Sequence, residues 1–392
     1  QGVELPICLP RPLGLRLGRD YTRIIFSQAY RRLKHKTQVF FAVKDDHVCT
    51  RSEHVNLVES ISYTIANYLG LNTELTKAIA VGHDLGHAPF GHGGETIIND
   101  IAKSNGLDSF WHERNSLHFI DNIETLEDDE HVRHNLNLTY AVRDGIISHC
   151  GEMQQMKIKK RDQAIDLNDY LTPGQYNPFT WEGCVVKVAD KIAYLARDIE
   201  DALRLKVLKE NKVEVLRMSL NQLSEDYQFN AINNGTIVNY FIQDVCKNSN
   251  PDDGIALSKT AFEIMKTIMK FNYQNIYKID RVKIHSDYVS LMLHSIFDFY
   301  YKYDLIAKDS NTNLINELLK DKEQFPNTIN GFVHWLEKYS NMKYFKRNEI
   351  YQNKVIYDFI NDDQAMIKSI IDYLSGMSDA YIIQIFNELI AF

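Results

Sequence analysis

The distribution of proline constrains the fold of this chain more than any other feature of its sequence. Proline is absent from residues 13–88, 90–172 and 179–250 of the 392-residue chain. Because proline lacks an amide hydrogen and clashes with the preceding helical turn, such long proline-free stretches favour helices. Within them apolar residues recur at spacings of three and four, as in "HVNLVESISYTIANYLG" (54–70), where Gly70 is a typical helix terminator. The pattern predicts a mainly α fold.

Other segments continue the helical pattern. A helix is predicted to open at Asn72 or Thr73 in "NTELTKAIAVGHDLG". A second long helix is predicted in "EGCVVKVADKIAYLARDIEDALRLKVL", and we expect its Asp201, Arg204 and Lys206 to be exposed to solvent. We find no βαβ alternation and no Gly-x-Gly-x-x-Gly phosphate loop. The C-terminal third repeats the pattern in "YVSLMLHSIFDFYYKYDLI", "GFVHWLEKYS" and "AMIKSIIDYLSGMSDAYIIQIFNELIAF", and loops are predicted at 103–109, 127–131, 151–178 and 248–254.

Composition excludes several classes of protein. Apolar residues make up 44% of the chain and charged residues 24%, which is typical of a folded globular protein and not of a disordered one. No run of about 18 apolar residues occurs, so we expect no membrane span and no membrane partner. The start of the chain does not have the pattern of a signal peptide. The five cysteines form no C-x-x-C pair, which favours reduced thiols and a cytoplasmic location.

Charge along the chain is uneven. The net charge of −8 argues against a dedicated nucleic-acid binder. From Arg11 to Lys36, however, the chain has eight lysines or arginines and one aspartate. This basic segment is either a solvated basic face or a contact surface for polyphosphate or nucleic acid.

The adjacent pair His83 and Asp84 lies near the end of an apolar helical pattern. Neighbouring residues on a helix point about 100° apart, so only an object lying between the two side chains engages both. A divalent cation does this, and imidazole nitrogen with carboxylate oxygen suits zinc, manganese, iron, cobalt or nickel. His54 and Asp190 are candidates for the remaining ligands, since Asp190 lies among apolar residues where a carboxylate must be paired or metal-bound. The alternative is a capping or core polar pair.

This pattern resembles the HD-domain metal-dependent phosphohydrolases, in particular the deoxynucleoside triphosphate triphosphohydrolases of the bacterial dGTPase type. The resemblance is strong over about residues 18–205 and weak in the C-terminal third. It implies an HD-domain helical bundle over 1–205, with an additional C-terminal helical region over 206–392 packed on it as one globular unit. The motifs that carry it are "GRDYTRIIFSQAYRRLKHKTQVF" (18–40), "TRSEH" (50–54), "HDLGHAPFGHGGE" (83–95), "FWHERNSLHF" (110–119), "NLNLT" (135–139), "ADKIAYLARDIEDA" (189–202) and "GMSDAYIIQIF" (376–386).

The resemblance implies hydrolysis of a dNTP, with dGTP preferred, between the sugar 5′ oxygen and the α-phosphate, which releases intact triphosphate. It also implies one divalent ion, with manganese or magnesium placed first and iron, cobalt, nickel or zinc as alternatives. Its ligands would be His54, His83, Asp84 and Asp190. A homo-oligomer, hexameric or tetrameric, and single-stranded DNA or an allosteric nucleotide are the further partners expected.

The remaining site residues follow from the same resemblance. His92 and Glu95 are three residues apart and can touch on a helical turn, which suits an acid held by a carboxylate. Asp190, Tyr194 and Asp198 are spaced by four residues, so Tyr194 would lie under C2′ of the sugar and Asp198 near its 3′-hydroxyl. If the helix persists beyond His83, His87 lies one turn further along the same face and would contact phosphate. Arg51, His112 and Lys191 would contact phosphate too, while Gln38 and Val39 would line the sugar and base.

Two other functions compete with this one. A different HD enzyme, such as a (p)ppGpp hydrolase or a nucleotide phosphomonoesterase, would share the metal ligands but not the "HAPFGHGGE" extension. A non-catalytic sensor of nucleotide or nucleic acid would instead use the basic segment from Arg11 to Lys36. The products formed from a dNTP discriminate among the three.

Overall fold

The structure, a computed structural model, describes residues 13–40, 45–150, 155–345, 347 and 350–391. Within these residues the fold is mainly α, as the proline distribution predicts, and its helices extend into the C-terminal third. The helices are α1 (Leu13–Phe26), α2 (Gln28–Arg32), α3 (Arg51–Tyr68), α4 (Thr73–Gly82), α5 (Gly91–Ser104), α6 (His112–His118), α7 (Tyr140–Ser148), α8 (Trp181–Arg204), α9 (Glu210–Leu223), α10 (Asn234–Asn248), α11 (Lys259–Asn272), α12 (Asp280–Asp309), α13 (Leu314–Lys320), α14 (Pro326–Tyr339), α15 (Ala365–Gly376) and α16 (Asp379–Ile390).

Strands are short and do not form a βαβ unit in the described part of the chain. β1 (Thr125–Glu127) pairs antiparallel with β2 (Arg133–Asn135), with Leu126 opposite His134. β3 (Lys157–Ile158) pairs antiparallel with β4 (Ile255–Ala256). None of the helices that the structure describes is long and apolar enough to cross a membrane.

Local capping explains where α3 and α4 begin and end. α3 starts at a capping box in which the backbone N–H of Thr50 donates to Glu53 at 2.7 Å, and Gly70 follows the helix with a φ of 70°. The Asn72 side chain then accepts a hydrogen bond from the backbone N–H of Leu75 and opens α4. α4 ends at Gly82, so His83 and Asp84 lie in the turn after the helix.

Two hydrophobic clusters form the interior. The first joins α3, α4 and α8 with α1, α7, α10 and α11, and the second joins α5 with α12, α14, α15 and α16. α3, α4 and α8 pack against one another, so residues near the start of α3, the end of α4 and the middle of α8 can meet. The division of the chain at residue 205 stays a prediction.

Two expectations about exposed charge are wrong. Asp201 on α8 is buried, and its carboxylate accepts a hydrogen bond at 3.0 Å from the backbone N–H of Cys49. Lys36 is also buried, so it belongs to no basic surface. Arg32 is paired with Glu124 at 2.9 Å, which removes another cation from that surface, while Arg11 lies outside the described residues. Such long-range pairings are invisible in a local charge pattern.

Candidate metal centre

The four predicted metal ligands come together from three elements. His54 lies in the first turn of α3, Asp190 in the middle of α8, and His83 and Asp84 directly after α4. His54 Nε2 lies 3.0 Å from Asp190 Oδ1. His83 Nε2 lies 3.8 Å from the same oxygen and 3.6 Å from Asp84 Oδ2. His54, His83 and Asp190 form a group of ligand atoms within 4.8 Å of one another, which a metal ion could join.

Hydrogen bonding around His83 fits a metal ligand. Its Nδ1–H donates to the backbone carbonyl of Ala80 at 2.6 Å, which leaves the lone pair on Nε2. That Nε2 is buried and has no hydrogen-bond partner among the described residues. An unpaired buried nitrogen is costly unless something satisfies it, and a divalent cation between His83 and two carboxylates would do so.

The carboxylates are held in their charged form, as metal ligands require. Burial raises the pKa of Asp190, but Lys191 and His54 outweigh burial and keep that pKa well below its usual range. Burial likewise raises the pKa of Asp84, but His83 and Arg51 outweigh burial and keep that pKa well below its usual range. Burial also lowers the pKa of His54, which favours the neutral imidazole that binds metals.

Arg51 holds Asp84 by the same carboxylate oxygen that lies near His83. One Nη of Arg51 donates to Asp84 Oδ2 at 2.7 Å, and its other donors reach the backbone carbonyls of Thr37 at 3.2 Å and Gln38 at 3.3 Å. The guanidinium is therefore buried and engaged with the protein in this state, and its phosphate role stays a prediction. Of the two predicted sugar and base residues, Gln38 lies with its backbone carbonyl beside this arginine, and Val39 packs against the first hydrophobic cluster.

Glu95 is shared by two histidines. Its Oε2 lies 3.2 Å from His92 Nδ1 and 3.1 Å from His112 Nδ1, and its Oε1 accepts the backbone N–H of His112 at 2.9 Å. The His92 side chain is 77% exposed, whereas that of His112 is 13% exposed. Burial lowers the pKa of His112, but Glu113 and Glu95 outweigh it and raise that pKa to about 10. The structure thus pairs His92 with Glu95, as the spacing predicts, and adds a buried imidazolium beside them.

His87 reaches the site by a different route from the one predicted. Because α4 ends at Gly82, His87 does not lie one turn further along the same helix. The chain turns instead, and the His87 ring stacks on that of His112 with a centroid distance of 4.6 Å. Its Nε2 is buried and without a hydrogen-bond partner among the described residues. Burial and Arg51 hold the pKa of His87 well below its usual range, so this ring is neutral.

Three further predicted residues, Lys191, Tyr194 and Asp198, follow Asp190 along α8. Lys191 Nζ lies 3.2 Å from Asp190 Oδ2 and 5.9 Å from the centre of the Tyr194 ring. Asp198 is buried two turns beyond Asp190 and accepts a hydrogen bond from the hydroxyl of Tyr277. Its Oδ1 has no hydrogen-bond partner among the described residues, and burial raises its pKa to about 7. A buried oxygen without a partner is costly unless something satisfies it.

Two residues of this region were missed by sequence reasoning. His149 follows α7, donates from Nδ1 to the carbonyl of Ile146 at 2.6 Å, and lies with its ring centre 4.9 Å from that of His83. It forms a group with His83 and Asp84 whose ligand atoms could hold a metal ion. His149 could have been predicted from its place at the end of an apolar helix, the same pattern that singled out His83. No local sequence pattern indicated that Tyr277 lies at the site.

Residues 375–379, at the end of α15 and the start of α16, form hydrogen bonds with the segments around this site. Asp379, the first residue of α16, accepts hydrogen bonds at 2.9 Å from the backbone N–H groups of Phe90 and Thr37. The buried ammonium of Lys36 donates to the carbonyls of His87 and Ser375. Residues 375–379 therefore hold the loop that carries His87 and leads into α5.

The chain is similar to proteins of one family. Residues 51–195, which include all four candidate ligands, match the family model of the HD domain. A deoxyguanosinetriphosphate triphosphohydrolase-like protein of Desulfatibacillum aliphaticivorans is 38% identical over 296 residues, which cover 74% of this chain and 75% of the relative. A protein of the same description from Caldanaerobacter subterraneus subsp. tengcongensis is 37% identical over 74% of this chain and 73% of its own length. Another, from Clostridium tetani, is 31% identical over 94% of this chain and 84% of its own length.

Proposed function

This chain belongs to the deoxyguanosinetriphosphate triphosphohydrolase-like proteins, and from that premise we propose that it hydrolyses deoxynucleoside triphosphates, dGTP by preference, to the deoxynucleoside and inorganic triphosphate. The observation that carries the proposal is the convergence of His54, His83, Asp84 and Asp190 on one buried point. Beside that point lies a charged histidine–glutamate cluster of the kind that proton transfer needs.

The four ligands would hold one divalent ion, manganese or magnesium first, with iron, cobalt, nickel or zinc as alternatives. When bound, such an ion polarises a phosphoryl oxygen and lowers the pKa of water. The chain contributes the fixed geometry: the Ala80 carbonyl orients His83, and Arg51 orients Asp84.

Cations of the chain would bind the triphosphate. The His112 imidazolium and the Lys191 ammonium flank the ligand group, at 3.8 Å from Asp84 Oδ1 and 3.2 Å from Asp190 Oδ2 respectively. Arg51 would add its guanidinium if the phosphates displace its backbone partners. His87 would be the fourth phosphate contact once a proton is placed on its Nε2, since the Ala88 carbonyl already accepts the hydrogen of Nδ1.

His92 and Glu95 would manage the proton of the leaving 5′ oxygen or of the attacking water. Glu95 contacts the ring of His92 at Nδ1, so Nε2 would serve the reacting oxygen, and the exposed ring can exchange protons with solvent. His112, charged and bound to the same carboxylate, would hold Glu95 in place as this proton moves.

The sugar would lie along α8. Tyr194 stands one turn beyond Asp190 and would pack under C2′, where a ribose hydroxyl has no room. Asp198 would accept the 3′-hydroxyl through its free Oδ1, with Tyr277 fixing the other oxygen. Gln38 and Val39 would line the part of the site that holds the sugar and the base.

Chromatography of the products tests the proposal. Pure protein is incubated with each of the four dNTPs and with GTP, in Mn²⁺ or Mg²⁺. Triphosphate with the free deoxynucleoside supports it, whereas pyrophosphate or phosphate indicates another HD enzyme. Inactivity on every dNTP favours the non-catalytic sensor of nucleotide or nucleic acid.

A cytoplasmic homo-oligomer, hexameric or tetrameric, and control by single-stranded DNA or a nucleotide stay predictions.

A further inference from the structure

Lys187, one turn before Lys191 on α8, is a buried lysine to which the hydrolysis described above gives no part. It is 6% exposed, and among the described residues it makes no hydrogen bond and no ion pair. Burial lowers the pKa of Lys187, while the neighbouring Cys150 thiol and Glu113 carboxyl oppose burial. A buried ammonium without an acceptor is costly, so this side chain suits a ligand that brings negative charge.

Lys187 shares one face of α8 with the residues proposed to bind the substrate. Successive residues of a helix are rotated by about 100°, so positions 187, 191, 194 and 198 lie within about 60° of one another around the axis. These positions carry Lys187, Lys191, Tyr194 and Asp198. The candidate metal ligand Asp190 borders the same face. The face that carries the proposed contacts to the substrate therefore extends towards the N-terminal end of α8 as far as Lys187.

The order of these residues indicates which part of the substrate would lie near Lys187. In the proposed function the sugar lies beside Tyr194 and Asp198, and the α-phosphate lies at the metal that Asp190 would hold. The β- and γ-phosphates then continue away from the sugar, towards the N-terminal end of α8. Lys187 precedes Lys191 by about 6 Å along the helix axis, a distance that a triphosphate chain can span. The flexible stem of a lysine adds to this reach.

The other cations of this region are already paired. Lys191 Nζ lies 3.2 Å from Asp190 Oδ2, and His112 Nε2 lies 3.3 Å from Glu113 Oε1. Glu113 keeps a second oxygen, Oε2, that is buried and without a hydrogen-bond partner among the described residues. Within this group Lys187 is thus the cation without an ion pair in the described part of the chain, and a phosphate can pair with it without breaking an existing contact.

We propose that Lys187 binds the terminal phosphate of the substrate and so selects triphosphates over diphosphates. The inference rests on the proposed function, which orients the substrate along α8. Lys187 would touch the substrate at the phosphate furthest from the bond that breaks, so it contributes to binding more than to the chemical step. In the released triphosphate the same contact holds the end that was furthest from the sugar.

Calorimetry of dGTP and dGDP binding tests the subsite without requiring turnover. Both nucleotides are titrated with Mn²⁺ into the full-length His92→Ala variant, which keeps the four candidate metal ligands and should turn over slowly. Adding Lys187→Met removes the charge but keeps an unbranched stem, and should weaken dGTP binding by about 10-fold or more, since a charge-assisted hydrogen bond is lost. Binding of dGDP, which lacks the terminal phosphate, should not change. Lys187→Arg keeps the charge and should retain most of the affinity for dGTP.

The matched control is Lys322→Met, which removes an exposed lysine beyond α13 and should leave the binding of both nucleotides unchanged. In the otherwise unaltered protein, Lys187→Met should raise KM for dGTP more than it lowers kcat.

The outcomes separate this inference from the proposed function. Equal losses of dGTP and dGDP affinity in Lys187→Met, or equal dGTP binding by Lys187→Met and Lys322→Met, overturn the subsite. Release of triphosphate from dGTP with the same KM in Lys187→Met overturns the subsite alone. Binding of dGTP that depends on Lys187, without any release of triphosphate, supports the subsite and overturns the proposed function alone.

Discussion

The carboxylate of Asp379 accepts a hydrogen bond from the backbone N–H of Phe90 at 2.9 Å, although the two residues are 289 positions apart in sequence. Phe90 has a φ of 61°, a left-handed conformation that side-chain-bearing residues adopt only when their surroundings require it. The other oxygen of Asp379 binds the N–H of Thr37 at 2.9 Å. One buried side chain thus fixes the two chain segments that flank the candidate metal centre.

Asp379→Asn should therefore weaken both stability and activity. The amide nitrogen cannot accept a hydrogen bond, so one buried N–H loses its partner, at a cost of about 1–3 kcal/mol. The loop shifts, and kcat/KM for dGTP should fall by roughly 10-fold or more, because small displacements of reacting groups are costly. Asp362→Asn, which alters a surface cap at Gln364, is the control. Equal kinetics in the two variants would show that the loop positions itself without Asp379.

Asp190→Asn should remove the metal ion and the activity together. The variant keeps the shape of the side chain but removes the negative charge that faces His54 and His83. Elemental analysis of purified protein measures the metal directly. Asp201→Asn, on the same helix but bonded to Cys49, should retain metal. A full complement of metal in Asp190→Asn would remove Asp190 from the ligand set.

His92→Ala should lower turnover by roughly 10²–10⁴-fold, the usual contribution of a placed acid or base. The metal should remain, since His92 is no proposed ligand. His112→Ala removes a cation from the phosphate site and should raise KM as well as lower kcat. Near-normal turnover of His92→Ala would transfer the proton role to His112 or His87, which share the same cluster.

Tyr194→Ala should change the choice of sugar. The substitution removes packing under the deoxyribose and creates room for a 2′-hydroxyl, and steric selection of this size contributes about 1–3 kcal/mol. The ratio of kcat/KM for dGTP to that for GTP should fall by roughly 10- to 100-fold. Asp198→Ala should depress both substrates alike, since both carry a 3′-hydroxyl. Equal losses on dGTP and GTP in Tyr194→Ala would mean that the ring only fills the core.

Asp198 should make stability depend on pH. Its pKa is raised to about 7 in the folded protein, so between about pH 4 and pH 7 the folded state binds more protons than the unfolded state. The contribution of Asp198 to stability is therefore full below about pH 4 and is lost as the pH rises through 7. Denaturant unfolding at pH 5, 6, 7 and 8 should show a smaller decline in Asp198→Asn than in the unaltered protein. Identical slopes would indicate an ordinary pKa for this carboxyl.

Features set by neighbouring residues could be read from the sequence. α4 begins where Asn72 caps it, and α3 is followed by Gly70, because these signals act within one helical turn. The adjacency of His83 and Asp84 and the four-residue spacing from Asp190 to Asp198 likewise depend only on local geometry. The adjacency of His83 and Asp84 singled out two of the four candidate ligands that the structure brings together.

Features set by tertiary packing could not be read in this way. Tyr277 reaches Asp198 across 79 positions, and Asp379 reaches Phe90 across a far longer separation. Asp201 resembled a solvated charge because its partner, the backbone of Cys49, is provided by another part of the fold. The sharing of Glu95 between His92 and His112 depends on α6 packing beside α5, which no spacing rule predicts.

Hydrolysis of dGTP in ¹⁸O-labelled water, followed by ³¹P NMR, tests the central claim most directly. If water attacks the α-phosphorus and the bond to the 5′ oxygen breaks, one ¹⁸O enters the released triphosphate at a terminal phosphorus. The deoxyguanosine then leaves with its own oxygen. We predict singly labelled triphosphate and unlabelled deoxyguanosine, formed in equal amounts and only with divalent metal. Release of pyrophosphate or phosphate from dGTP, or label in the deoxyguanosine, would contradict the function proposed for this site.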